Sequence, residues 1–141
     1  MNSRTDTKVL TRKLELDSNS DAIHTVEAVI DELRSVLEFK EDVYGNVMVA
    51  VTEAVNNSII HGNKEDESKK VIVEITAKSH YSLKVSVSDE GEGFDPSNLA
   101  DPTSPENLEN IGGRGVFLME HLSDSMSFTN DGKTVEMTFN I

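Results

Sequence analysis

Three short clusters hold the residue types that could do chemistry. The first is Glu53-Ala54-Val55-Asn56-Asn57, with His61 four positions further on. On a helix, Glu53, Asn57 and His61 share one face a turn apart, and Asn56 flanks them. A carboxamide oxygen is a hard ligand of the kind Mg²⁺ takes, and a carboxylate one turn earlier can orient and deprotonate an attacking hydroxyl or water. Taken alone, Glu-x-x-x-Asn is more often an ordinary solvated face, and His61 reads as a helix-end residue favoured by the macrodipole. The second cluster is Asp89-Glu90-Gly91-Glu92-Gly93. An aspartate closing a strand can accept a hydrogen bond from an exocyclic amine such as that of adenine. Gly91 and Gly93 would let a flat base approach the backbone without Cβ interference. Alone, this segment is more often a tight acidic turn, and its carboxylates lack calcium-loop spacing. The third is Gly112-Gly113-Arg114-Gly115, ahead of Val116-Phe117-Leu118-Met119. Free N–H groups where a glycine turn opens a helix suit phosphate, and Arg114 could add a charged contact to an outer phosphate.

The elements around these clusters follow from hydrophobic period. Val9 to Leu16 partly alternates and predicts a first strand. Asp17 to Asp21 offers helix caps. Ile23, Val26, Val29, Ile30, Leu33 and Leu37 then keep helical spacing from Ala22 to about Phe39. A second helix is expected from Glu41 to His61, with Val43, Val47, Val51, Val55 and Ile59 in one stripe and a left-handed end at Gly62-Asn63. Lys64 to Lys70 reads as a loop, Val71–Ala77 and Leu83–Asp89 as strands. Between Glu90 and Gly115 lie four glycines and all three prolines, a long connection of the kind that is usually functional. Val116 to Leu122 predicts a short helix. Met126–Phe128 and Val135–Ile141 predict a hairpin across Asn130-Asp131-Gly132. The order is β-α-α-β-β-loop-α-β-β, an α+β two-layer sandwich with helices on one face of a mixed sheet.

Composition narrows the function. The 141 residues fit a single domain over 1–141, with 36% hydrophobic and 28% charged residues. No apolar run is long enough to span a bilayer and no signal-peptide pattern is visible, so a cytoplasmic location is expected. The absence of cysteine excludes disulfides and thiolate metal sites. A net charge of −13 argues against a nucleic-acid binder. It also makes a polyphosphate an awkward ligand unless a cation and backbone dipoles offset the repulsion. Gly132-Lys133-Thr134 imitates the end of a P-loop, but Ser127 stands where the glycine five positions earlier is required. Pro96 likewise breaks a dinucleotide fingerprint begun at Gly91.

Glu53-x-x-x-Asn57 on a helix, Asp89-x-Gly91-x-Gly93 at a strand end and Gly113-x-Gly115 opening a helix together resemble the N, G1 and G2 boxes of Bergerat-fold, histidine kinase-like ATPases. Within that superfamily, "VTEAVNNSIIHGN", "DEGEGFDP" and "GGRGVFLMEHLSD" look most like bacterial anti-sigma factors with serine-protein-kinase activity. The resemblance covers nearly the whole chain. It implies Mg·ATP as ligand, Glu53 as catalytic base and Asn57 as Mg²⁺ ligand. It implies Asp89 as the reader of adenine with Gly91 and Gly93 lining the base, Gly113 and Gly115 on the phosphates beside Arg114, and a lid from about Phe94 to Gly112. Such proteins often place Thr directly after the glycine before the last strand, supporting the aspartate. Here Lys133 holds that place and Thr134 follows, which leaves Thr134's contact open. The resemblance further implies an anti-anti-sigma (STAS-type) partner phosphorylated on Ser or Thr, a sigma factor held away from RNA polymerase, and a homodimer. A nucleotide-loaded interaction switch without transfer is compatible with the same boxes, as is a histidine-kinase catalytic domain acting in trans.

Overall fold

The computed structural model describes residues 9–78, 81–92 and 113–141. Five strands form one sheet: β1 (Val9–Asp17), β2 (Lys70–Lys78), β3 (Ser82–Ser88), β4 (Ser125–Thr129) and β5 (Thr134–Asn140), in the order β1-β2-β3-β5-β4. Among the described residues there are three α-helices: α1 (Asp21–Leu37), α2 (Glu41–Asn57) and α3 (Gly113–Leu122). The two-layer α+β arrangement holds, but every strand pair is antiparallel, which corrects the expectation of a mixed sheet. Parallel neighbours need a crossover back to the starting end of the sheet. The β2–β3 and β4–β5 connections are too short for one, and β2 begins beside the end of β1, with Lys70 paired to Asp17.

Register explains why one face is buried. Leu14, Val73, Val87, Val135 and Phe128 lie in one row across the five strands, and Leu10, Ala77, Leu83 and Phe139 in another. Residues between them, such as Glu74, Thr76 and Lys84, are exposed. The inward rows meet Val26, Ile30 and Leu33 of α1, Val47, Val51 and Val55 of α2, and Val116 and Met119 of α3 in one core. Each such aliphatic side chain contributes about 1.5–3 kcal/mol on burial, so the apolar stripes decide which helix faces meet the sheet. No helix of the described residues is long and apolar enough to cross a membrane.

The end of the second helix departs from expectation. Regular α2 stops at Asn57, and Ser58–Gly62 continues as one wider π turn. Asn63 is not left-handed (φ −89). The left-handed residues are Lys64 (φ 53) and Glu65 (φ 60). The turn is closed from below: Asn63 N–H donates to the Ser58 carbonyl at 2.8 Å and Glu65 N–H to the Ile59 carbonyl at 2.8 Å. A π turn inside a helix often marks a functional site, because it re-aims the residues that follow.

Candidate functional site

The site is built around the end of α2. Val51, Ala54 and Val55 are buried against the sheet, which turns Glu53 and Asn57 to the partly exposed side of the same helix. The first turn of α3 lies against this side. A Cβ added to Gly115 would stand 3.3 Å from Glu53 Oε2, so the carboxylate rests at the opening of a helix. That opening carries unsatisfied N–H groups and the positive end of the dipole. The first and third clusters therefore meet.

The second cluster reaches the same helix end through the π turn. Asp89 follows β3 directly, and its N–H donates to the Lys133 carbonyl at 3.0 Å. Its Oδ1 accepts the Gly91 N–H at 2.8 Å. Burial pushes the carboxyl above its ordinary range. The Gly91 N–H, the charge of Lys133, the Ser58 hydroxyl and the charge of Lys69 pull the other way. Gly62 packs flat on this carboxylate: a Cβ there would fall under 3.0 Å from both of its oxygens. A Cβ on Gly91 would likewise clash with the Gly62 carbonyl. Gly91 was expected to leave room for a base, yet the space its missing side chain opens is filled by the protein's own backbone.

Segments 53–62, 89–91 and 113–115 are thus in one place, as their spacing predicts. Gly113 opens α3. Gly93 and residues 94–112, the expected lid, lie outside the described residues, as does the side chain of Arg114. Thr134 is buried, and its hydroxyl lies 2.9 Å from that of Ser88. Support for Asp89 from this position comes instead through the backbone and charge of Lys133. Partial burial pushes His61 below its ordinary value, which disfavours the charged imidazolium at the helix end.

Three contributors were missed in the sequence. Ser58 and Gly62 read as ordinary members of a helix and its stop. Asn63 read as a turn residue, but it is 1% exposed and fully bonded. Its Oδ1 accepts the Glu90 N–H at 2.8 Å, and its Nδ2 donates to Ser18 Oγ at 2.9 Å and the Lys70 carbonyl at 3.0 Å. No local pattern signals this, because its partners lie on three different elements.

The donor set fits Mg·ATP. Mg²⁺ in phosphate sites keeps several waters and takes one or two protein ligands beside the phosphates, which Asn57 with its partly exposed carboxamide can satisfy. A helix opening for phosphates and a half-buried carboxylate for an exocyclic amine complete the set.

The chain matches the histidine kinase-like ATPase domain family over residues 16–139. It is 30% identical over 132 residues to the serine-protein kinase RsbW of Listeria monocytogenes, covering 89% of this chain and 83% of that protein. To the serine-protein kinase RsbW of Bacillus subtilis it is 27% identical over 133 residues, covering 89% and 82%. Among solved structures it resembles the RsbU and RsbW domains of Rv1364c from Mycobacterium tuberculosis, with TM-score 0.65 and 17% identity over 93% of this chain and 32% of that longer one. It also resembles the histidine kinase domain of the Erythrobacter litoralis EL346 blue-light activated histidine kinase, with TM-score 0.51 and 17% identity over 86% and 59%. These two likenesses establish the fold. Family match, relatives and the meeting of three motifs on one helix end agree: the chain belongs to the histidine kinase-like ATPase superfamily, in its family of anti-sigma serine-protein kinases.

Proposed function

We propose that this protein is an ATP-dependent serine/threonine-protein kinase and anti-sigma regulator. Its substrate is a hydroxyl of a small anti-anti-sigma (STAS-type) protein in the cytoplasm, and the partner's phosphorylation state decides whether a sigma factor is held. The observation that carries this reading is the Glu53 carboxylate lying against the first turn of α3, beside Gly115. A base is thereby held at the place where a helix opening would receive phosphates.

ATP supplies the phosphoryl group, and Mg²⁺ the charge that offsets its oxygens. The chain's own groups do the rest. Asp89 accepts the exocyclic amine of the base. The N–H groups of the α3 opening, including those of Gly113 and Gly115, face the phosphates, with Arg114 beside them. Asn57 would hold the cation through its carbonyl oxygen. Glu53 takes the proton of the partner's hydroxyl as that oxygen bonds to the γ-phosphorus and the bond to the β-phosphate oxygen breaks. ADP leaves. Positioning and charge stabilisation are the main work of such a site.

Incubation with labelled ATP and a candidate STAS-type protein tests the reading. Acid-stable label on the partner's serine or threonine is expected, falling roughly 10²- to 10⁴-fold for Glu53→Ala with ATP still bound, the usual cost of a lost general base. Binding without transfer would make the protein a nucleotide-loaded switch, and acid-labile label on histidine would make it a histidine-kinase domain acting in trans.

A further inference from the structure

Asn63 spends every hydrogen-bonding group of its side chain on three separate elements. Nδ2 holds Ser18, which lies between β1 and α1, and the carbonyl of Lys70 at the start of β2. Ser18 is itself anchored, its Oγ donating to the Lys69 carbonyl at 2.6 Å. Oδ1 receives the Glu90 N–H. Consecutive backbone N–H groups after β3 are thereby fixed one by one: Asp89 on Lys133, Glu90 on Asn63, Gly91 on the Asp89 carboxylate. Asn63 supplies the only side chain from another element among these three acceptors.

We infer that Asn63 is a positioning residue for base selection, holding the backbone of Glu90 so that the Asp89 carboxylate faces an adenine amine. The inference rests on the reading of Asp89 as the base-recognising group. Its physical basis is directional. An amide hydrogen bond is lost over a few tenths of an ångström and tens of degrees, and without the Asn63 acceptor the Glu90 peptide is free to rotate. Rotation there displaces the next N–H, that of Gly91, which holds the Asp89 carboxylate by its Oδ1. The α3 opening, which faces phosphates, does not depend on this link.

Affinities of ADP and GDP, measured by calorimetry on the full chain, test it, because the two ligands share phosphates and differ in the base. The parent is expected to prefer ADP. Asp89→Asn should reverse or erase that preference: with its oxygen kept on the Gly91 N–H, its NH₂ would face the adenine amine as a second donor but would suit a guanine carbonyl. Asn63→Ala should lower the ADP-to-GDP preference roughly tenfold, the size of one hydrogen bond to a charged group, with GDP affinity little changed. Asn63→Asp retains an acceptor for Glu90 and should keep the preference while losing stability. If Asn63→Ala does not fold, Ser18→Ala, which loosens Asn63 from one side, should show a smaller loss of the same preference. In the Asp89→Asn background, Asn63→Ala should have no further effect on the ratio, since the two act in series. An unchanged ratio for Asn63→Ala, or for Ser18→Ala where that variant stands in, alongside a loss for Asp89→Asn overturns the inference alone. An unchanged ratio for Asp89→Asn overturns the base reading and the inference with it.

Discussion

At the scale of single residues, the site holds groups where function and stability pull apart. Asp89 is a carboxyl whose burial raises its pKa above the ordinary value of 3.8. Folding therefore favours its protonated form. The associated stability is present below pH 3.8 and is lost as pH rises through the higher folded value, so at neutral pH the ionised group is a liability to the fold. Asp89→Asn should melt higher than the parent at pH 7, with the gap closing as pH falls towards 4. A melting curve no higher than the parent's at pH 7 would show that the carboxylate's hydrogen bonds outweigh its desolvation. Gly115→Ala makes a similar split. Alanine is worth up to about 1 kcal/mol over glycine in a helix, yet its Cβ at 3.3 Å presses on Glu53 Oε2. We expect unchanged or higher stability with a roughly tenfold lower transfer rate, since a small misplacement of a catalytic group is costly. Full activity in that variant would mean that the Glu53 position seen here is not the working one. The placement of Glu53 and Asn57 on one side of α2, and of Asp89 directly after β3, was legible because helical and strand periods set it. The roles of Ser58 and Asn63 were not, because their partners come from distant strands.

At the scale of elements, the π turn Ser58–Gly62 carries the end of α2 onto the Asp89 carboxylate, and its glycine is required by space. A Cβ on Gly62 has the Asp89 carboxylate under 3.0 Å away on the one side, whereas a Cβ on Gly45 in α2 meets nothing within 4 Å. Gly62→Ala should therefore cost about 1–3 kcal/mol, as overpacking does, and weaken nucleotide binding together with stability. Gly45→Ala should instead gain about 0.5–1 kcal/mol. Denaturant melts of the two variants check both signs. If Gly62→Ala were neutral, the tight contact with Asp89 would not be a feature of the protein in solution. Helix and strand positions were readable from the stripes at Val26–Leu37 and Val43–Ile59 and from the alternation in 83–89. The shift from α to π geometry at Ser58 was not, because the contact of Gly62 with Asp89 beyond β3 is one that no local period encodes.

At the scale of the whole molecule, strands alternating inside and out build one covered sheet face, and the helix ends on that face carry the site. The antiparallel sheet was misread as mixed because sequence order shows which elements exist but not the direction in which β2 re-enters beside β1. The net charge of −13 adds a global constraint, because it repels a polyphosphate unless a cation or backbone dipoles offset the charge. Binding should therefore depend on Mg²⁺ and stabilise the whole fold, by about 2.7 kcal/mol when free ligand exceeds its dissociation constant a hundredfold. The most direct test is calorimetric titration of the protein with ATP in the presence and absence of Mg²⁺, with a parallel melting curve. Saturable binding at a single site per chain, much tighter with Mg²⁺ and matched by a higher melting temperature, is the expected result. No heat and no stabilisation with Mg·ATP, or the same affinity with and without the cation, would contradict it.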